Sequence, residues 1–575
     1  MVINTDSNRL DSNRSALGAL VGVLTAAVAI GVAQLVAGII GANTSPVVAV
    51  QEVSVDFTPP GLKDFAINTF GTNDKLVLLC GVLVVLALFA ALIGGLAMRR
   101  LDYGLAGLVV FAVIGIAAAI SRPNATATAI LPTLIGACAG AGALVLLVRA
   151  AQPANPQPAA ARTAGSQPTA EDYAPGGSGS PGTERPASPS RPAPPSRPAS
   201  AGRPRPAPAG RPAPAGSLTG PERRRLLAVS AAAAGTAAVT GLAGRLLSER
   251  TDVTQAQRSL RIPAPATPAP PLPAGADLRI PGLSPFITPN GAFYRVDTAI
   301  VLPEVPPASW QLRIHGMVSR EISLSFDQLI RRPLLEDYIT LTCVSNPVAG
   351  PYVGNARWLG ASLASLLRDA GVRAGADQLL CTSADGFTSG APLQTAMDGR
   401  DAMLAVAMNG TVLPVEHGFP VRMVIPGLYG YVSACKWITD IEVTTFAANS
   451  AYWAQRGWDQ QAPIKTESRI DVPNGQNSVR AGRTAVAGVA WAQHKGIEAV
   501  EVRVDRGAWQ QARLAPVPDI DSWRQWVWEW DATPGGHLIE ARATDKTGYT
   551  QTALQEPPPP NGASGYPAVS VNVTS

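Results

Sequence analysis

Cys343 is the residue with the most chemistry to offer. It closes an alternating strand, Asp337–Cys343 (DYITLTC), and a breaker-rich loop, VSNPVAGPYVGNARW, follows at once. A thiol at a strand end, facing a Gly/Pro/Asn loop, is well placed to bind a metal or attack a substrate. A lone cysteine is also commonly an inert core thiol, and the residues alone leave both open. A nucleophilic cysteine needs a base. His417, in the loop PVEHGFPVR, is the plausible one, although the sequence does not bring the two together.

A second set lies in EHGFPVRMVIPGLYGYVSACKWI, which spreads His417, Arg422 and Lys436 around one apolar strand. Gly418, Gly427 and Gly430 allow close backbone approach there. Such a set suits a phosphate or another anion through charge-assisted hydrogen bonds, or it is a solvated strand edge with ordinary cations. In ITPNGAFYRVDTA, Arg295 stands beside Phe293 and Tyr294. An arginine among aromatics is an anion receptor or a surface stacking pair.

The elements that must position these residues lie in the second half of a chain of 575 residues, long enough for several domains. Hydrophobic residues make up 46% and charged residues only 15%, which points to a membrane component. The net charge of +5 mostly reflects arginines in one linker, and no basic stripe interleaved with aromatics speaks for nucleic acid. The five cysteines form no CxxC pair, which argues against zinc ribbons, thioredoxin-type sites and haem c attachment, and so few argue against a disulfide framework.

Four apolar runs open the chain: Ala16–Ile40, Leu76–Met98, Gly104–Ile120 and Ala129–Val148. Each is close to the ~20 residues that cross a bilayer, so residues 1–148 are expected to form a four-helix membrane region. Residues 149–222, rich in Pro, Ala, Arg and Ser, are expected to be a disordered linker. Residues 223–247 form an Ala-rich fifth span or signal-anchor behind Arg223–Arg225, a cluster that also resembles a twin-arginine export signal. Residues 248–277 form a Pro-rich linker. Arginines at 9, 14, 99, 100 and throughout the long linker belong on the cytoplasmic side, so everything after about residue 248 is expected outside. None of the spans contains a histidine, so no haem is predicted in the bundle.

From residue 278 to 465 short strands alternate with short helices, an α+β pattern. SLSFDQLIRR carries a cap at Ser325, and SLASLLRDAG has a glycine stop. Residues 466–575 are expected to form a small Ig-like sandwich, with IEAVEVRVD alternating and Trp526, Trp528 and Trp530 on one face.

The segment from about Ile287 to Val573 resembles the sulfite oxidase family of molybdopterin enzymes. ITPNGAFYRVDTA, then WQLRIHG and ITLTCVSN, resembles the family's run from its active-site arginine to its molybdenum-binding cysteine. GNARWLGASLASLL and the His417–Lys436 segment also read like the family, and the last hundred residues resemble its Ig-like dimerisation domain. The resemblance implies a molybdenum cofactor, with Cys343 supplying a thiolate to the metal. His417, Arg422 and Lys436 would grip the pterin and its phosphate, with Asn290, Phe293 and Tyr294 beside them. Arg295 would face an anionic substrate.

The chain also departs from the family. Sulfite-oxidising members follow the arginine with Asn-His, whereas Val296 and Asp297 follow here; an acidic Asp297 would disfavour a sulfite dianion. They carry a tyrosine where Trp458 follows AQRG, and Ala-Gly-Asn where Val344–Ser345–Asn346 stands. No cytochrome b5-like segment is present, so a separate electron-transfer partner is expected. These features imply a membrane-anchored, extracytoplasmic oxidoreductase transferring an oxygen atom, with sulfite oxidation as the family default. A sulfoxide or other S- or N-oxide reductase is the alternative, and a non-catalytic membrane scaffold is a third. A homodimer through the C-terminal domain is a further expectation.

Overall fold

The computed structural model describes residues 5–40, 44–58, 74–121, 127–152, 220–248, 253–299, 301–476 and 478–575. The stretch expected to be a disordered linker lies almost wholly outside them.

Six helices come first: α1 (Thr5–Ile40), α2 (Pro46–Phe57), α3 (Asp74–Arg99), α4 (Leu101–Ile120), α5 (Leu131–Ala151) and α6 (Gly220–Ser248). All but α2 contain a segment long and apolar enough to cross a membrane, which associates this part of the chain with a bilayer. The bundle is built around α1, which packs against α3, α5 and α6. In lipid no hydrophobic force draws helices together, so close backbone approach must do it. Glycines supply that approach: a Cβ on Gly22 would lie 1.8 Å from the Ala90 carbonyl oxygen, and one on Gly38 would lie 2.5 Å from that of Gly244.

A short helix α7 (Thr254–Ser259) precedes the α+β region and is tied to it, Gln257 donating to the Leu413 carbonyl at 2.6 Å. The expected Pro-rich linker is not free of structure here. Ala266 donates to the Leu334 carbonyl at 2.8 Å, and Glu336 donates to that of Thr267 at 2.9 Å. The extended backbone that prolines favour is also one that can lie along a strand.

Two sheets carry the α+β region. In one, the order is β2 (Ile322–Ser325), β1 (Gln311–Gly316), β10 (Ile438–Thr444), β5 (Gln378–Ser383), β6 (Thr388–Pro392), with β1 and β10 parallel. In the other it is β3 (Leu334–Thr342), β4 (Val353–Ser362), β7 (Met403–Met408), β8 (Thr411–Val412), with β9 (Arg422–Val424) on β7. Helices α8 (Phe326–Ile330), α9 (Leu363–Ala370), α10 (Leu393–Met397) and α11 (Gly430–Ser433) are short. Ser325 caps α8 with a reciprocal capping box, and Gly371 stops α9 in the left-handed region, as the residue types predict. Leu312, Ile314, Leu366, Leu379, Met423 and Ile441 meet in one core.

The C-terminal region is β-structure in two sheets. One runs β11 (Glu467–Val472), β13 (Gly482–Trp491), β17 (Arg524–Ala532), β16 (Arg513–Leu514); the other runs β12 (Val479–Arg480), β19 (Ala568–Thr574), β18 (Gly535–Asp545), β14 (Ile497–Val504), β15 (Gln510–Gln511). Period-2 alternation sends Val500 and Val502 of β14 inward against Val486, Trp526 and Ile539.

This region also clasps β3. Among the named strands β3 pairs with β4, on one side; the start of its other edge bridges to Thr267. Further along that edge, Thr340 donates to the Asp521 carbonyl at 3.0 Å, Trp523 donates to the Thr340 hydroxyl at 2.7 Å, and the Gln493 amide donates to the Thr340 carbonyl at 2.9 Å and the Thr342 hydroxyl at 3.2 Å.

Candidate active site

Cys343 follows directly on β3, and its position is set on both sides. Its N–H donates to the Tyr352 carbonyl at 2.9 Å, and its carbonyl accepts from Asn346 at 3.0 Å. The Asn346 side chain accepts from the Tyr352 N–H at 2.8 Å and so closes the loop. Cys343 is buried, 8% exposed as a residue, and lines a cleft of about 140 Å³. Burial pushes its pKa up, while Lys436 pulls the other way.

Arg422 enters the same cleft from β9. Its guanidinium lies over the Trp358 ring, 4.9 Å from the centroid, and donates to the carbonyls of His417 at 3.1 Å and Ala434 at 3.3 Å. It forms no ion pair with any carboxylate among the described residues, and its Nε has no hydrogen-bond partner. Burial lowers its pKa to about 10. A buried cation without a counter-charge is costly, so this site calls for an anion.

His417 sits in the turn before β9 and is 2% exposed. Its Nε2 is 3.0 Å from the Asn290 carbonyl, which can only accept, so Nε2 carries the proton and Nδ1 is left as an acceptor. Burial holds its pKa down to about 4, and the imidazole is neutral at pH 7. Gly418, at φ +108°, makes the turn possible: a Cβ there would lie 3.0 Å from that of Arg422 and 3.1 Å from that of Lys436.

Lys436 is paired. Its Nζ donates to Asp297 at 2.8 Å and to the Glu416 carbonyl at 3.2 Å, and lies 4.6 Å from the centre of the Trp437 ring. Burial lowers its pKa to about 8, against the pull of Asp297. Asp297 also accepts from Arg295 Nε at 2.8 Å, and its side chain is only 4% exposed. One carboxylate therefore answers two cations.

The structure thus brings Cys343, Asp297, Phe293, Tyr294, His417, Arg422, Lys436 and Trp458 to one cleft. Two other residues singled out from the sequence do not line it. Arg295 has 40% of its side chain exposed and reaches the site only through Asp297. Asn290 turns its side chain to Thr411 and Asn409, and only its carbonyl serves the site, through His417. Conversely, Asp385, Phe387, Tyr431 and Trp453 line the cleft without having been anticipated, as does Ser345 of the loop already marked as a departure. Only the density of aromatics in LYGY and AYWAQRGW hinted at two of them.

Residues 299–453 match the family profile of the oxidoreductase molybdopterin binding domain. Over 292 residues the chain is 32% identical to a sulfite oxidase of Gallus gallus, covering 42% of this chain and 62% of that protein. Over 194 residues it is 30% identical to an NADH nitrate reductase of Solanum lycopersicum, covering 29% of this chain and 21% of that one. Among solved structures, the sulfane dehydrogenase SoxCD from Paracoccus pantotrophus aligns at 24% identity and a TM-score of 0.44, over 50% of this chain and 84% of that one. The chain spans less than two thirds of the length of the curated relatives it matches.

The residues present fit the cofactor that the profile names. A buried thiol and a buried arginine with an unmatched Nε face one cleft, which is the donor set that a thiolate-bound metal and an anionic ligand require.

Proposed function

We propose that this chain, which matches the oxidoreductase molybdopterin binding domain over residues 299–453 and is similar to sulfite oxidases, is a molybdopterin oxidoreductase of the sulfite oxidase type that moves an oxygen atom to or from a small substrate in the cleft beside Cys343. The supporting observation is the shared position of the buried Cys343 thiol and the uncompensated Arg422 guanidinium. When bound, the molybdenum cofactor supplies a two-electron centre that exchanges an oxygen atom with the substrate.

The chain's own residues do the rest. Cys343 provides the thiolate, and since burial raises its pKa, metal binding must displace the proton. Arg422 holds the cofactor's anionic group. His417, neutral and anchored on Asn290, offers Nδ1 as an acceptor toward the cofactor ring. Lys436 keeps its charge by pairing with Asp297, and Phe293 and Tyr294, stacked at 5.2 Å, cover the thiol's strand. Trp358 supports Arg422 from below.

Sulfite oxidation is the default for this reading. The pairing of Asp297 with both Lys436 and Arg295 favours a second one, reduction of an S- or N-oxide, since a dianion would find these cations already answered. A scaffold without catalysis has no observation in its favour. The five apolar helices and the arginine-rich flanks support a multi-pass protein with its catalytic region extracytoplasmic, and the two C-terminal sheets around one core support an Ig-like unit suited to dimerisation. A separate electron-transfer partner completes the cycle.

Molybdenum and pterin content of the purified protein tests this. The expected result is one molybdenum per chain, with its metal-centred spectrum and activity lost in Cys343→Ser while the circular dichroism is kept. A metal-free protein from cofactor-competent cells, or an active Cys343→Ser, would overturn it.

A further inference from the structure

The cleft has a side that the thiol and the cations do not use. It is lined by Phe387, Tyr431, Trp453 and Trp458, together with the Asp385 carboxylate. The rings form one connected set. Phe387 meets Tyr452 at 5.7 Å, Tyr452 meets Trp453 at 5.2 Å, Trp453 meets Trp458 at 6.1 Å and Trp458 meets Tyr431 at 6.0 Å. Their planes are inclined at 57° to 86°, so they stand as walls at angles to one another rather than as a flat stack. Four of these rings, Phe387, Tyr431, Trp453 and Trp458, border the cleft, and an aromatic ring offers a negative face to a cation. The set already holds one cation on its outer side, since the Arg456 guanidinium lies 3.5 Å from the centre of the Tyr452 ring.

The charges of the cleft point the same way. Asp297 is engaged by Lys436 and Arg295. Arg422 lies beneath, bonded to carbonyls. Asp385 accepts the Phe387 amide at 3.2 Å and forms no ion pair among the described residues. Of the two carboxylates lining the cleft, Asp297 and Asp385, it is the one without a cation among the described residues, while Arg422 is left to the cofactor's anionic group. An inorganic oxyanion gains nothing from four aromatic rings and an unanswered carboxylate. A soft alkylated cation gains from both, because its weak hydration makes transfer onto ring faces cheap.

We propose that Asp385 with Phe387, Tyr431, Trp453 and Trp458 forms a specificity subsite for the positively charged, alkylated group of an organic substrate, of the quaternary ammonium or sulfonium class. This rests on the cleft being the substrate site described above, and it restricts that substrate to an organic molecule with a cationic arm.

The test is binding, not turnover. Calorimetric titration of the detergent-solubilised full-length protein, with molybdenum measured in the same preparation, uses tetramethylammonium chloride, sodium sulfate and benzyl alcohol as probes. Saturable tetramethylammonium binding is expected, about tenfold or more tighter than sulfate. Trp458→Ala and Asp385→Asn, checked for folding by circular dichroism, should each weaken it about fivefold, the order of one cation–π contact for the ring and of one charge pair for the carboxylate. Sulfate binding the tighter, benzyl alcohol binding as well with Asp385→Asn having no effect, or no tetramethylammonium binding at all, each overturns the proposal. A metal-free protein that still binds tetramethylammonium sinks the molybdenum reading and leaves this subsite standing. A molybdenum-loaded protein that does not bind it does the reverse.

Discussion

Asp297 sets the electrostatic character of the cleft, because it answers Lys436 and Arg295 together. Replacing it by asparagine keeps the shape and frees Arg295, and frees Lys436 as a cation only at acidic pH, since burial without the carboxylate lowers its pKa further, so the comparison belongs at acidic pH. Asp297→Asn should raise kcat/KM for sulfite by about tenfold, mostly through KM, since a freed partly buried cation strengthens anion binding by about 1–2 kcal/mol. Steady-state kinetics with sulfite checks it; unchanged KM would remove the argument for an S- or N-oxide over sulfite. Arg422 makes a prediction of two signs. Arg422→Met should lower molybdenum retention by tenfold or more, yet raise the melting temperature of the metal-free protein, because it removes a buried charge with no counter-ion. Metal analysis and a thermal scan of the metal-free form read the two. At this scale the sequence was a good guide wherever a residue sits in a turn beside its own strand. Cys343, His417, Arg422 and Lys436 all lie at the end of, or next to, a short strand that aims them. Arg295 lies off the cleft because Asp297, two residues on, takes the inward place and accepts its Nε. Asp385 and Phe387 were illegible because the wall they share with Trp453 is assembled from the β5–β6 turn and a turn some seventy residues later, with no local pattern to join them.

Among the elements, β3 carries the thiol and is held by a distant region. Gln493 bonds both the Thr340 carbonyl and the Thr342 hydroxyl, one residue before Cys343. Gln493→Leu leaves both buried without that partner, a cost of about 1–3 kcal/mol. Faster hydrogen exchange at the amides of residues 340–343, with those of β14 and β18 unchanged, is the expected result. In the bundle, Gly22→Leu must push α1 from α3, since even a Cβ collides with the Ala90 carbonyl. Loss of the compact, monodisperse form in detergent gel filtration is expected. The helices themselves were plain in the sequence, being runs of apolar residues of spanning length. The tie between residues 266–267 and β3 was not, since proline-rich composition tells of extended backbone and not of what it lies against.

For the whole molecule, two buried carboxylates couple stability to pH. Burial raises the pKa of Glu467 to about 8; burial, with Asp519, Asp401 and Asp521 nearby, does the same for Asp337. In the unfolded chain both groups titrate near pH 4. Between about pH 4 and pH 8 the folded form therefore holds more protons than the unfolded one, and stability falls as pH rises through that window. The melting temperature of the C-terminal and α+β regions should accordingly drop from pH 5 to pH 8, and Glu467→Gln should flatten the drop. A melting temperature that climbs from pH 5 to pH 8 contradicts this. The clasp on β3 also has a consequence in time. Thr340 and Trp523, which bond across it, are 183 residues apart. At the usual pace of synthesis, about 5–20 residues per second, the strand waits roughly ten to forty seconds with half of one edge bare. A bare edge is a template for another chain. Crowded expression should therefore yield aggregates seeded at β3, and a ribosome-stalled chain ending before residue 519 is the species in which to look for them.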